Sequence, residues 1–382
     1  MTTKTTGLDD ALRRVIPERI REAREARGFT TEAFGDAIGV SRQAVAQYET
    51  GQTSPSAAVL ASIISVTKQP PTFFTEPRGR RAESFLAPFW RSLKRMENPE
   101  RIRISRRLEW AADIVSYIEN FLELPKIDLP PIEWDAENGS TDEIEDIARR
   151  VREHWGLGLG PIHNLSSVLE YHGIILVRER VSCEDMDALS RWQNGRPYIL
   201  YSADVESGPR TTYNLAHELA HMILHSGVEV TSENLAKLER QANRFAGAFL
   251  LPRATFPLEV VSTSITYFKF LKERWGVAIA AMVYRCKDLG ILNESQVKYL
   301  WRQMNALGIR KKEPGDEKFQ QPLPTLLRSS LEMLVGHKVQ SKEDIERKVN
   351  LNAEDIESLG GCDHGWLSGG KILAFTPRFK TA

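Results

Sequence analysis

The sequence is short of several things that would fix its class at once. It has three cysteines, Cys183, Cys286 and Cys362, odd in number and far apart. This argues against a disulfide framework and suits a reducing, cytoplasmic setting. Net charge is missing as well, because 51 Lys and Arg balance 51 Asp and Glu. Bulk charge cannot draw such a chain to a polyanion, so any nucleic-acid affinity must come from a local patch. Long apolar runs are absent: no stretch approaches 18 residues, and the opening "MTTKTTGLDDALRRVIPERI" has no apolar core. Neither a membrane partner nor a signal peptide is expected. Histidine is also scarce, with eight in the chain, yet three of them fall within nine residues, at His217, His221 and His225.

What is present suits a globular chain of two or three domains, with 41% hydrophobic and 27% charged residues. Residues 14–75 read as short helices with no strand-type alternation. Residues 76–140 form a basic helical linker. Between Arg78 and Arg107, ten basic residues face three acids, and Pro130-Pro131 marks a boundary. From Thr141 the pattern becomes mixed. Helices alternate with "IILVRERV" and "PYILYS", whose β-branched and aromatic content predicts strands, so 141–255 reads as α+β. Residues 256–382 are again helical.

The histidine run lies in "TYNLAHELAHMILH". Residues four apart share a helix face, so His217 and His221 can aim at one point. Glu218 is rotated about 100° from His217, beside that point, where a carboxylate can take a proton from an activated water. His225 lies about 12 Å along the axis from His217, too far to share one ion with it. It reads as a helix-capping residue or as a contact of the ligands. The third ligand is expected from the next helix, "LERQANRFAGAFLLP", which carries Glu239 with Asn243 one turn later. Glu229 and Glu233 fall in the intervening turn and rank below it. Two His and one Glu leave a position open, the catalytic rather than the structural donor set, with one Zn2+ as the expected cofactor.

These two segments, with "EYHGIILVRERV", "MDALSRW" and "RPYILYS" before them, resemble the ImmA/IrrE family of zinc metallopeptidases over about 141–252. The resemblance implies a zincin-like domain in which His217, His221 and Glu239 bind zinc and Glu218 is the general base. "RPYILYS" is expected to serve as an edge strand that holds an extended substrate. Tyr171, Tyr213 and His172 are candidate transition-state donors, with packing roles as the plainer reading. Cys183 is a candidate latency thiolate, with a partly buried free thiol as the plainer one.

"FTTEAFGDAIGVSRQAVAQYETGQTSPS" resembles the lambda-repressor/Cro-like (XRE) helix-turn-helix. That likeness implies a second motif helix in the major groove, with Ser41 capping it and Arg42, Gln43, Ala44 and Gln47 facing double-stranded operator DNA. A full operator implies a homodimer. Two departures stand out. Thr31 replaces the usual Gln, and Gly35 replaces the usual Ala at an expected cost of about 1 kcal/mol. The basic passage Arg78–Arg107 is expected to add phosphate contacts. "SKEDIERKVNLNAEDIESLGG" has the rhythm of another helix-turn-helix, but it is acidic and fits a scaffold better than DNA.

The expected fold is thus multidomain and mainly α: an all-α helix-turn-helix, a central α+β domain with a small sheet, and a C-terminal helical region. Two functions compete. One is a DNA-binding regulator whose zinc endopeptidase cuts a protein substrate, a transcriptional repressor from a mobile-element or stress circuit. The other is a DNA-binding regulator or toxin–antitoxin component whose metal site is structural or sensory.

Overall fold

The computed structural model describes residues 15–78, 98–181, 186–310 and 312–369. They divide into two compact units: one gathers 15–78, 98–122 and 327–369, and the other is drawn from 123–326. The first unit begins with α1 (Pro17–Ala26), α2 (Thr31–Ile38), α3 (Arg42–Thr50), α4 (Ala57–Thr67) and α5 (Pro71–Thr75). Their starts are set by side-chain caps: Thr30, Ser41 and Ser56 accept from the backbone N–H groups of Ala33, Ala44 and Val59. Gly39, in the left-handed region at φ 75°, ends α2. Gly35 has a use that helix propensity does not reveal. A Cβ there would sit 2.7 Å from the Val40 carbonyl oxygen, so the α2–α3 turn can close this tightly only over a glycine.

The long helix α6 (Asn98–Glu119) packs on α1, burying Ile104, Leu108, Ala111, Ile114, Val115 and Ile118. The Trp110 indole donates to Glu22 at 2.7 Å. Much of the described basic passage is committed to these acids. Arg78 bonds Asp113 and Glu109, and Arg106 bonds Glu25 and Glu109. This corrects the expectation of free phosphate contacts at Arg78 and Arg106; the stretch 79–97 lies outside the described residues.

The second unit opens with α7 (Thr141–His154), started by a reciprocal capping box between Ser140 and Glu143, and α8 (Leu165–Tyr171). Three strands follow, β1 (Ile175–Glu179), β2 (Ala188–Gln193) and β3 (Arg196–Ser202), in the order β1-β3-β2. β1 and β3 are parallel, whereas β2 and β3 form an antiparallel hairpin over Asn194-Gly195, both at positive φ. "RPYILYS" is therefore the central strand, not an edge, which corrects the expected substrate strand. In the structure β3 is buried on both faces from Pro197 onward, as befits an inner strand.

α9 (Gly208–Leu224) lies on this sheet and α10 (Leu235–Leu250) packs on α9 and α7, followed by α11 (Phe256–Glu259), α12 (Ile265–Trp275), α13 (Ile279–Asp288) and α14 (Glu294–Ala306). α9 and α10 pack along their lengths through Leu215, Leu219 and Ala220 on one side and Ala242, Phe245 and Ala246 on the other. The alanines let the two backbones come close. Arg285 of α13, fully buried, ion-pairs with Glu145 of α7 and donates to the Leu251 carbonyl at 2.8 Å. Beyond α14 the chain passes over the start of α9. Gly208 admits the Gln320 carbonyl there, which a Cβ would meet at 2.7 Å.

The chain returns to the first unit with α15 (Leu326–Gly336), α16 (Lys342–Val349) and α17 (Ala353–Gly360). α16 and α17 pack on α6. At the start of α17, Asp355 accepts from Arg27 at 2.7 and 2.9 Å, from Gln69 at 2.6 Å, and from Arg107. Burial would raise its pKa, but Arg107 and Arg27 overcome that and hold the carboxyl below its ordinary value. The expected C-terminal block, 256–382, is thus shared between two cores, and so is the linker 76–140. Helical spacing shows which face of a helix is apolar, but not which neighbour covers it.

Candidate metal centre

α9 begins at Ser207, whose hydroxyl accepts from the Arg210 N–H, with Pro209 in the first turn. The helix then carries Tyr213, His217, His221 and His225 at four-residue spacing. The three histidines are 2%, 2% and 0% exposed, and Glu218 is 3% exposed. α10 places Glu239 against the first two rings. His217 Nε2 and His221 Nε2 lie 3.1 Å apart; Glu239 Oε2 is 3.5 Å from the first and Glu239 Oε1 is 3.4 Å from the second.

These three lengths test whether a metal fits. Donors about 2.0–2.1 Å from a tetrahedral ion lie about 3.3–3.4 Å from one another. The triangle's edges are close to that length, but 3.4–3.5 Å is long for a good charge-assisted hydrogen bond. Among the described residues this is the one group of three such side chains with ligand atoms within 4.8 Å of one another. Two buried polar atoms beside it, His217 Nδ1 and Glu218 Oε2, have no hydrogen-bond partner among the described residues. Buried polar atoms are rarely left in that state, and Glu218 Oε2 is thereby free to bond a group from outside the chain. The residues fit a divalent metal ion.

The electrostatics agree. Burial, helped by neighbouring His221, pushes the His217 pKa down, which keeps this ring neutral and able to donate a lone pair. Burial would raise the Glu239 pKa, but the two imidazoles more than offset it and hold it below the ordinary carboxylate range. His225 caps α9, its N–H reaching the His221 carbonyl at 3.1 Å. Its Nδ1 lies 2.9 Å from His221 Nδ1, and its Nε2 lies 2.9 Å from Gln241 Oε1. Gln241 donates in turn to the Ala136 carbonyl at 3.0 Å. This chain fixes the ring of His221. Burial, then His221, lowers the His225 pKa to about 3. Gln241 was not foreseen, since a glutamine two residues past a ligand has no motif signature.

The remaining candidates separate clearly. Glu229 and Glu233 are exposed in the turn between the helices and outside the triangle. Tyr171 is 78% exposed, and His172 bonds Asp128 at 2.8 Å and stacks on Trp155. Only Tyr213 shares the α9 face of the ligands, one turn before His217, donating to Asn243 Oδ1 at 3.1 Å. Cys183 lies outside the described residues. In the first unit, Ser41 caps α3, Arg42 and Gln43 are exposed in its first turn, Ala44 and Gln47 are half-buried, and Val45 faces the core.

Fold and site together define a helix-turn-helix regulator-type protein joined to a metallopeptidase-type domain. Residues 20–74 match the helix-turn-helix family, and residues 169–287 match the family described as the IrrE N-terminal-like domain. The second match opens in α8 and closes in α13, so it runs past Pro252 and leaves α7 outside. No curated protein matches the chain. Among the described residues, no helix is long and apolar enough to cross a membrane.

Proposed function

We propose that the protein is a DNA-binding transcriptional regulator with zinc-dependent endopeptidase activity, and that it cuts a repressor-type regulatory protein in a mobile-element or stress circuit. The observation that carries this reading is the His217–His221–Glu239 triangle with the unpartnered Glu218 Oε2 beside it. His217, His221 and Glu239 would hold the ion, and three ligands rather than four is the catalytic donor set. When bound, zinc supplies Lewis acidity, polarising the scissile carbonyl and making water acidic enough to lose a proton near neutral pH. Glu218 accepts that proton and passes it to the leaving amine. His225 and Gln241 keep the His221 ring in its orientation. Among the described residues β1 and β2 each pair on one side only, and β2 is the edge that packs against α9, so it is the strand along which an extended peptide would add.

The first unit would deliver this activity to DNA. Arg42 and Gln43 stand where the second motif helix meets base edges, with Ser41, Ala44 and Gln47 completing the contact surface. A homodimer would cover two half-sites. A repressor bound to the same DNA then meets the peptidase at raised effective concentration. The deciding experiment replaces Glu218 with Gln and co-expresses the protein with candidate repressors, following fragments by mass spectrometry. Loss of fragments with zinc retained is the expected result. Unchanged fragments, or an unchanged biological effect, would leave the structural or sensory metal site as the surviving reading.

A further inference from the structure

Beside the metal centre, one helical turn toward the start of α9, lies a cavity of about 200 Å³. Tyr213 and Asn243 line it and bond to each other. They stand four residues from His217 and Glu239 on their respective helices, so this rung borders the ligand rung, about 6 Å along the axis. Asp187, the residue just before β2, stands on another wall. A peptide extended along β2 and crossing the metal centre therefore passes the mouth of this cavity.

The walls say what can enter. The far side is small and apolar, with Ala278, Ala280 and Ala281 at the start of α13, then the half-exposed ring of Tyr284. Nearly every polar group around them is already matched. Asp187 pairs with Arg210 at 2.6 Å, Ser207 bonds Asp316 at 2.9 Å, and Glu313 accepts from the Ala280 N–H at 2.9 Å. Arg310 sits at the exposed rim, over the Trp301 ring. An occupant that brought a charge to the alanine-lined side would find its charged neighbours already paired, and an anion could meet Arg310 only at the rim. The exception is Asn214, three residues before His217. It is 6% exposed, it lines the cavity, and its carboxamide has no hydrogen-bond partner among the described residues. A carboxamide can both donate and accept, which matches a peptide group. In size the space suits one large side chain, since a dry cavity of about 150 Å³ holds a benzene ring.

We propose that this cavity is the specificity pocket of the site: it takes a bulky apolar side chain, Phe or Leu in kind, from the bound peptide, while Asn214 holds the adjoining peptide group. The proposal rests on the peptidase reading, and it names the sequence the peptidase would prefer. Filling the alanine-lined space should abolish that preference. Removing the Asn214 amide should weaken all peptides alike.

The test uses the full-length protein carrying Glu218→Gln, so that peptides bind without being cut. The probes are end-blocked pentapeptides, Ala-Ala-Xaa-Ala-Ala, with Phe, Leu, Ala, Gly or Asp at the centre, titrated by calorimetry. The Phe and Leu peptides should bind at least about tenfold tighter than the Gly peptide. Adding Ala280→Phe should bring the series to within about twofold. Adding Asn214→Ala should weaken every peptide about tenfold and leave the ranking intact. Tyr284→Ala removes only a half-exposed ring and serves if Ala280→Phe does not fold; it should reduce the Phe preference several-fold. A flat series, no binding of the Phe peptide, or a ranking that survives both Ala280→Phe and Tyr284→Ala would overturn the proposal. Cutting of the same peptides by protein with Glu218 intact separates the two readings. Ranking without cutting sinks the peptidase and keeps the pocket, whereas cutting without ranking does the reverse.

Discussion

The two units each bury a polar cluster, and the clusters differ in how they are satisfied. In the first unit, Asp355 takes hydrogen bonds from Arg27, Arg107, Gln69 and Asn352, and its own N–H goes to Asn352. Every lone pair has a donor, and the cluster holds α17 against α1 and α6. In the second unit, His217 Nδ1 and Glu218 Oε2 are as deeply buried and lack partners among the described residues. The two Glu239 edges of the neighbouring triangle, 3.5 and 3.4 Å, are at ligand-to-ligand spacing and long for hydrogen bonds. A closed cluster fastens helices together. An open one has donor atoms to spare for a group the chain does not supply, and burial alone would not have told the two apart.

Breaking the open cluster should change chemistry and leave the fold intact. Glu218→Gln is expected to reduce peptide hydrolysis by about 10²–10⁴-fold, the range of a general base, with bound metal and melting temperature close to wild type. Steady-state rates beside a thermal melt make the measurement, and an undiminished rate would remove Glu218 from the reaction.

Breaking the closed cluster should do the opposite. Asp355→Ala leaves the buried Arg107 and the half-buried Arg27 without their acid and should destabilise the first unit by on the order of 3–5 kcal/mol, with metal content unchanged. The same carboxyl sets a direction with pH. Its folded pKa is lowered, so its stabilisation is present above the unfolded value of about 3.9 and disappears as pH falls through the folded value. Urea melts of the wild type below pH 4 should therefore lose stability that Asp355→Asn has already lost. Equal acid sensitivity in the two proteins would contradict this assignment.

Smaller effects sharpen the comparison within the helix-turn-helix. Gly35→Ala would stabilise an ordinary helix, but here the new methyl meets the Val40 carbonyl and should cost about 1–3 kcal/mol. A rise in melting temperature would show that the turn can relax. Arg42→Ala and Gln43→Ala, both in the exposed first turn of α3, should each weaken operator binding by about 1–3 kcal/mol in gel shifts without changing stability.

Much of this was legible in the sequence where one local rule decides. Ser41 before "RQAVAQYE" marked the start of α3, and the i, i+4 spacing of His217 and His221 put two imidazoles on one face. Glu239 was reachable because a helix hairpin with small alanines has few ways to pack. Long-range choices were not legible. Arg78, Arg106 and Arg107 read as a basic patch because their acids lie outside that passage: Glu109 and Asp113 further along α6, Glu22 and Glu25 on α1, and Asp355 on α17. "RPYILYS" read as an edge because strand order is not written in a strand. Gln241 was hidden because its role depends on His225, which itself contacts the ligands and does not belong to the triangle.

The central claim is that His217, His221 and Glu239 share one metal ion, and elemental analysis tests it most directly. Full-length protein, reconstituted with zinc and freed of loosely bound metal, should retain about one zinc per chain, and Glu239→Ala should lose most of it while staying folded. No stoichiometric metal in the wild type, or the same content in Glu239→Ala, would contradict the account.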